Sequence, residues 1–186
     1  MSNPAQRLAT YQDVLDAPSQ KVAELIEGVL YQSPRPATPH AAAASAIGEE
    51  LGPPFKRGRG GPGGWVILDE PEVHLGSDVV VPNLAGWRRE RMPELPHAPF
   101  IELVPDWVCE VTSPATRRID RGAKLSVYSQ QGVPFVWLVE PLDQLLEVLE
   151  LDRGAYRIVQ TETGASPCRL RPFDAIEIDL AALWAR

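Results

Sequence analysis

A glutamate lies in the middle of an otherwise apolar segment of this chain. The segment is Trp107-Val108-Cys109-Glu110-Val111, whose large apolar and β-branched residues predict a buried β-strand. Burying a carboxylate is costly unless a cation, a metal ion or several hydrogen-bond donors face it. Glu110 is therefore the first candidate for a functional residue, and a buried ion pair with an arginine is the alternative.

Three other polar side chains could meet Glu110. Asn83 follows Pro82, which interrupts a predicted strand; Lys124 lies in the segment after Glu110; and Glu24 lies in an early apolar strand. Oxygen ligands beside a lysine suit phosphodiester hydrolysis assisted by Mg²⁺. Each residue also has an ordinary explanation: Glu24 as a salt-bridge partner, Lys124 as a solvated lysine, and Asn83 as a partner for backbone groups beside Pro82.

The elements that must position these residues form a predicted βαβ unit. Apolar runs over 106–112 and 134–139 predict strands, and 116–131 between them predicts a helix that ends at Gly132. Two strands joined through a helix are expected to be parallel. One stripe of that helix carries Asp120, Lys124 and Tyr128.

The rest of the chain predicts mainly hairpins and short helices. In chain order we expect a helix over 7–16, a hairpin over 22–34 turning at Glu27-Gly28, a helix over 38–51 capped by Thr38, a hairpin of strands 65–75 and 79–87 around Gly76-Ser77, a closing hairpin of 145–151 and 156–161, and a packed segment 176–184.

Composition limits the classes of function. The 186 residues suit one domain spanning 1–186, and no apolar run approaches the roughly 20 residues of a membrane span. The first residues lack a secretory signal, so we expect a cytoplasmic protein. Cys109 and Cys168 are too far apart in sequence to indicate a zinc motif. The glycine-rich segment 58–64 lacks the Gly-Lys-Ser/Thr ending of a phosphate loop and predicts a mobile loop.

The formal charge of −7 opposes general binding of nucleic acid, so a local basic patch would be needed. Arg117, Arg118 and Arg121 form such a cluster next to Lys124. We expect these arginines to contact a DNA backbone, and an ordinary exposed helix start is the alternative.

Several motifs resemble one known family. They are Glu24-Leu25-Ile26-Glu27-Gly28, Val81-Pro82-Asn83, Cys109-Glu110-Val111-Thr112-Ser113-Pro114, Asp120-Arg121-Gly122-Ala123-Lys124-Leu125, Tyr128, Gly132-Val133-Pro134 and Trp137-Leu138-Val139. Through them residues 8–160 are similar to the Uma-type restriction endonucleases of the PD-(D/E)xK nuclease superfamily. The resemblance implies an α/β fold with a restriction-endonuclease-like core, in which helices flank a mixed central sheet. It also implies hydrolysis of DNA at a Mg²⁺ or Mn²⁺ site.

The resemblance assigns roles to the candidate residues, with two departures from its pattern. Glu110 and Asn83 would hold the metal, Lys124 would lie beside the attacking water, and Glu24 would assist. The superfamily lysine comes two residues after the acidic residue, where this chain has Thr112, so its role passes to Lys124 on the following helix. The second departure is Asn83, which replaces an aspartate and brings a carbonyl oxygen without charge.

The loss of that charge should lower the affinity for Mg²⁺. Asp78 is a poor substitute for it, because strand alternation directs Asp78 to the other side from Asn83; only a bulge at Pro82 would reverse that parity. The sequence therefore leaves three functions open: a metal-dependent endonuclease with impaired activity, an inactive nuclease fold that binds nucleic acid or a protein partner, or a role without nucleic acid, which only the acidic overall charge supports. A homodimer is expected only by analogy with enzymes that cut both strands.

Overall fold

The computed structural model describes residues 7–184, which form ten strands in two sheets and five short helices. The strands are β1 (Lys21–Ile26), β2 (Val29–Pro34), β3 (Trp65–Asp69), β4 (Val73–Leu75), β5 (Asp78–Val80), β6 (Leu84–Arg88), β7 (Trp107–Val111), β8 (Phe135–Glu140), β9 (Leu145–Asp152) and β10 (Ala155–Thr163). The helices are α1 (Tyr11–Leu15), α2 (Thr38–Leu51), α3 (Arg117–Ile119), α4 (Leu125–Gln131) and α5 (Leu180–Leu183). Within residues 7–184, every helix is too short or too polar to cross a bilayer.

The larger sheet has the strand order β10-β9-β8-β7-β6-β3. β7 and β8 run parallel, with Glu110 opposite Leu138, whereas β8–β9, β6–β7 and β3–β6 pair antiparallel. The connection from β7 to β8 consists of α3, a π-helical turn (Asp120–Lys124) and α4, which ends at Gly132 with a φ of 79°. The predicted βαβ unit and mixed sheet are confirmed.

The two faces of β7 contribute to two different parts of the core. On one face, Trp107, Cys109 and Val111 pack in an apolar cluster together with residues of α2. On the other face, Val108 lies in a second cluster that includes Tyr128 of α4. Burying large side chains of this kind stabilises a fold by about 1.5–3 kcal/mol each. Because residues alternate between faces along a strand, Glu110 lies on the same side as α4.

The smaller sheet has the order β2-β1-β5-β4. Its β1–β2 hairpin turns at Glu27 and Gly28, as the sequence predicts, and both residues have positive φ angles of 51° and 75°. Glycine adopts such a φ without steric cost, which explains its use at this turn.

The predicted hairpin of strands 65–75 and 79–87 is divided between the two sheets. β4 pairs with β5 around Gly76, but β3 pairs with β6 in the larger sheet. The expectation of one continuous hairpin was therefore wrong. The chain passes between the sheets near Pro71 and Pro82, and proline cannot donate a hydrogen bond to a strand ladder. Asn83 lies at this break, as predicted.

The other predicted elements are mostly present with altered ends. The first helix is shorter than 7–16, and Thr38 is the first helical residue of α2 rather than its cap, a position that Ala37 occupies. A π-helical turn, Gly52–Lys56, extends α2. The closing hairpin β9–β10 is confirmed, and α5 forms part of the last segment.

Candidate active site

The ammonium group of Lys124 is surrounded by three carboxylates. Lys124 Nζ lies 2.8 Å from Glu110 Oε1, 3.0 Å from Glu24 Oε1 and 3.7 Å from Asp120 Oδ1. The four side chains are between 2% and 7% exposed. A buried cation surrounded in this way is the arrangement that the apolar setting of Glu110 led us to expect. The cation that pairs with Glu110 is a lysine, not the arginine of the alternative interpretation.

Both sheets and the helical connection contribute to this cluster. Glu110 comes from β7 in the larger sheet, and Glu24 comes from β1 in the smaller sheet. The backbone N–H of Val81, just after β5, donates to Glu24 Oε1 over 2.8 Å and fixes that carboxylate. Asp120 and Lys124 are the first and last residues of the π-helical turn, a wider helical form found often at functional sites.

Tyr128 supports Glu110 from one helical turn beyond Lys124. Its hydroxyl group donates a 2.5 Å hydrogen bond to Glu110 Oε1, and the side chain is fully buried. The predicted stripe of Asp120, Lys124 and Tyr128 is thus confirmed, although Tyr128 has a polar role besides its place in the core. The bond fixes the direction of the Glu110 carboxylate.

Burial and charge act in opposite directions on the ionisation of this cluster. Burial raises the pKa of Glu110 to about 8, despite the opposing attraction of Lys124, and burial also raises the pKa of Asp120. Burial alone would lower the pKa of Lys124, but the surrounding carboxylates raise it above its ordinary value. Lys124 therefore stays charged at neutral pH, while the pKa of Glu110 stays above its ordinary value.

Asn83 lies beside the cluster and contacts β7 directly. Its carbonyl oxygen Oδ1 accepts a 2.8 Å hydrogen bond from the backbone N–H of Val111. The ordinary explanation of Asn83, that it pairs with a backbone group, therefore applies, and the oxygen retains a second lone pair. The side chain of Asp78 is turned away from Asn83, as predicted, and its carboxylate accepts a hydrogen bond from the backbone N–H of Glu27.

Two of the three arginines in the predicted cluster contact the strands beside the helical connection. Arg117 and Arg121 both pair with Glu140, with N–O distances of 2.8 and 2.6 Å, and Arg121 also pairs with Glu147. Arg118 is exposed and forms no ion pair with any of the residues 7–184. DNA contact by the three arginines stays a prediction, and two of them have their charge largely balanced within the protein.

The cluster lines a cleft that opens to solvent. A cavity of about 320 Å³ is lined by all four members of the cluster and by Asn83. It adjoins a larger groove of about 660 Å³ along α2, and both are lined by His40, Glu70 and Asn83. A substrate could therefore reach the carboxylates from outside.

His40 also lines the cleft. It lies in the first turn of α2, and its Nδ1 atom is buried without a hydrogen-bond partner among residues 7–184. Burial lowers the pKa of His40, so the imidazole is neutral at neutral pH. No pattern near His40 indicates this position, because it depends on how α2 packs beside β7.

Comparison with known proteins gives one family match and a solved structure of similar fold. The family model described as "Uma2: Putative restriction endonuclease" matches residues 8–181. A solved structure, described as a "putative nuclease belonging to DUF820" from Anabaena variabilis ATCC 29413, is similar in fold. It matches with a TM-score of 0.70 and 21% sequence identity, over 94% of this chain and 97% of that chain. None of the curated proteins matches significantly. Since the family model spans nearly the whole sequence, this chain belongs to the Uma2 family.

Proposed function

We propose that this protein is an endonuclease that hydrolyses phosphodiester bonds in DNA with the help of a divalent cation, Mg²⁺ or Mn²⁺. One observation carries the proposal: the buried ammonium of Lys124 and three carboxylates converge at the wall of an open cleft. Membership of a family described as restriction endonucleases supports DNA as the substrate.

The residues of the cleft fit a hard divalent cation in charge and donor chemistry. Three carboxylates against one ammonium leave excess negative charge when all are ionised. No three His, Cys, Asp or Glu side chains among residues 7–184 are grouped as ligands of one ion. Mg²⁺ commonly uses only one or two protein carboxylates and several waters, so Glu110 and Asn83 would suffice to hold it. A bound cation would acidify an attacking water and withdraw charge from the phosphate.

The other side chains have distinct tasks in this proposal. Lys124 remains an ammonium group at neutral pH, so it can hold a water near the phosphate and stabilise the negative charge that develops there. Glu24 and Asp120 hold Lys124 in place, and Tyr128 holds Glu110. Each of these contacts is already made within the protein in the absence of a substrate.

Asn83 sets the expected level of activity. It offers the cation an oxygen without charge, and that oxygen already accepts the N–H of Val111. We therefore expect weaker cation binding and slower hydrolysis than with an aspartate at this position. The same observation favours a second candidate function, a nuclease fold that binds nucleic acid or a protein partner without cutting it.

Nicking of supercoiled plasmid DNA in Mg²⁺ or Mn²⁺ distinguishes the two functions. The parent, Asn83→Asp and Glu110→Ala are compared, with Glu110→Gln as a control that keeps the side-chain volume. The endonuclease proposal expects nicking by the parent, faster nicking by Asn83→Asp, and loss in both Glu110 variants. Activity in Asn83→Asp alone would favour the binding module. If neither the parent nor Asn83→Asp exceeds the Glu110→Ala background, the endonuclease proposal is wrong.

Contact with the DNA backbone by the arginine cluster is also a proposal. Arg118 is the strongest of the three candidates, since Arg117 and Arg121 pair with Glu140. We therefore expect Arg118→Ala to weaken DNA binding more than a substitution of either neighbour.

A further inference from the structure

A groove leads from the cleft along α2, and the end of β3 forms its opposite wall. It has a volume of about 660 Å³ and shares the wall residues His40, Glu70 and Asn83 with the cleft. α2 contains 14 residues, which corresponds to a length of about 21 Å. Along a DNA strand that distance spans roughly six phosphates, at about 3.4 Å of helix axis each.

The end of the groove far from the cleft is positively charged. Lys56 and Arg57 line it, and Arg59 follows two residues later. All three side chains are exposed, and none forms an ion pair with another residue in the range 7–184. They differ in this respect from Arg117 and Arg121, whose charges are balanced by Glu140.

The loop that carries these cations has a defined fold. The backbone N–H of Arg59 donates a 2.7 Å hydrogen bond to the carbonyl oxygen of Pro53, and the backbone N–H of Gly63 donates a 2.8 Å hydrogen bond to the carbonyl oxygen of Pro54. Gly61 packs so closely that a Cβ atom there would lie 2.5 Å from Pro54 Cβ. The glycines of 58–64 thus allow the loop to fold back on the end of α2, where it presents its basic residues.

Acidic side chains also line the groove, and their positions give it a polarity. Asp69 lies at the end of β3 and Glu70 follows it near the cleft, where Glu70 Oε2 is 3.8 Å from an Arg35 nitrogen. Among the acidic residues that line the groove, Glu49 of α2 is the nearest in sequence to Lys56. A polyanion would therefore be attracted by the exposed cations at the Lys56 end and would meet the carboxylate of Glu70 where the groove joins the cleft.

We infer that the groove along α2 is a DNA-binding surface, in which Lys56, Arg57 and Arg59 hold backbone phosphates while the strand continues into the cleft. The inference rests on the proposed nuclease function and names the surface that holds its substrate. Unpaired, exposed cations are the groups that release counterions from DNA and so give binding its dependence on salt. Contacts of this kind position a nucleic acid without reading its sequence.

Binding of a fluorescent DNA duplex by anisotropy, in EDTA to prevent cleavage, tests this surface. The combined variant Lys56→Ala, Arg57→Ala, Arg59→Ala should bind more weakly, with the slope of log K against log salt reduced by about 2–3. A matched control, Arg153→Ala with Arg157→Ala on the exposed β9–β10 hairpin, should leave both quantities unchanged.

A second variant tests the same surface with an expected effect of opposite sign, an increase in DNA affinity. Glu49→Gln removes a negative charge from the groove without touching the basic loop, so it should strengthen binding. A salt slope in the triple variant equal to that of the parent would overturn the inference, as would a parent that does not bind DNA. Unchanged binding in Glu49→Gln would also contradict it.

Plasmid nicking, measured separately with Mn²⁺, keeps the two proposals distinguishable. A parent that binds through the groove but does not nick refutes only the nuclease function. A parent that nicks while the triple variant keeps its salt slope refutes only the groove.

Discussion

Lys124→Met should expose the electrostatic cost of the buried cluster. Methionine keeps most of the side-chain volume but cannot balance or bond to the carboxylates of Glu110, Glu24 and Asp120, which are 2%, 7% and 6% exposed. Removing one partner of a buried ion pair typically costs about 3–5 kcal/mol of unfolding free energy. We expect a loss in this range at pH 8.

The loss should become smaller in acid. A carboxyl group whose pKa is raised in the folded protein keeps a proton that the unfolded chain has already released. The stabilisation that such a group provides is therefore fully present below its pKa in the unfolded chain, and it declines as the pH rises through its pKa in the folded protein. For Glu110 the pKa in the folded protein is about 8 even with Lys124 present. Without the attraction of Lys124 the pKa of Glu110 rises further, so the Glu110 carboxyl group keeps a proton at pH 5 at little cost.

Urea unfolding of the parent and Lys124→Met at pH 5 and pH 8 measures both effects. Lys21→Met, a change at an exposed lysine on β1, is the control and should alter stability by less than about 0.5 kcal/mol. A loss below about 1 kcal/mol at pH 8, or an equal loss at both pH values, would refute the electrostatic account of the cluster.

Three further perturbations test other contacts. Tyr128→Phe removes the hydrogen bond to Glu110 and should cost about 1.5–3 kcal/mol in urea unfolding, whereas an unchanged midpoint would contradict that bond's importance. Because burial raises the pKa of Glu110 to about 8, binding of Mn²⁺ to this carboxylate should release about one proton below that pH. The affinity for Mn²⁺ should then rise roughly tenfold with each unit of pH up to pH 8. Calorimetric titration measures both quantities, and a pH-independent affinity would contradict Glu110 as a ligand. Gly61→Ala should destabilise by about 1–3 kcal/mol through its contact with Pro54, while Gly122→Ala, which meets no atom within 4 Å, should not.

Local sequence patterns predicted the centre of the fold and of the site. A continuous apolar run, a helical stripe and a second apolar run define β7, the connection and β8, and these lie next to each other both in sequence and in space. For that reason the sequence alone could predict that Glu110 and Lys124 belong to one site. The break at Pro82 also located Asn83, since proline interrupts any strand ladder.

Long-range packing determined what the sequence could not predict. Glu24 reaches Lys124 because β1 and the larger sheet meet, although the two residues are 100 positions apart. The pairing of Arg121 with Glu140 and Glu147 likewise depends on β8 and β9 lying beside the helical connection. The place of His40 in the cleft depends on helix packing alone.

The central claim is that Glu110 and its neighbours form a site that cuts DNA. It is tested most directly by the rate of Mg²⁺-dependent plasmid nicking in Asn83→Asp, compared with the double variant Asn83→Asp, Glu110→Gln. We predict that Asn83→Asp nicks faster than the parent and that the double variant falls to the rate of the no-enzyme control. Equal nicking by Asn83→Asp and the double variant would contradict the claim, because it would place the activity outside this site.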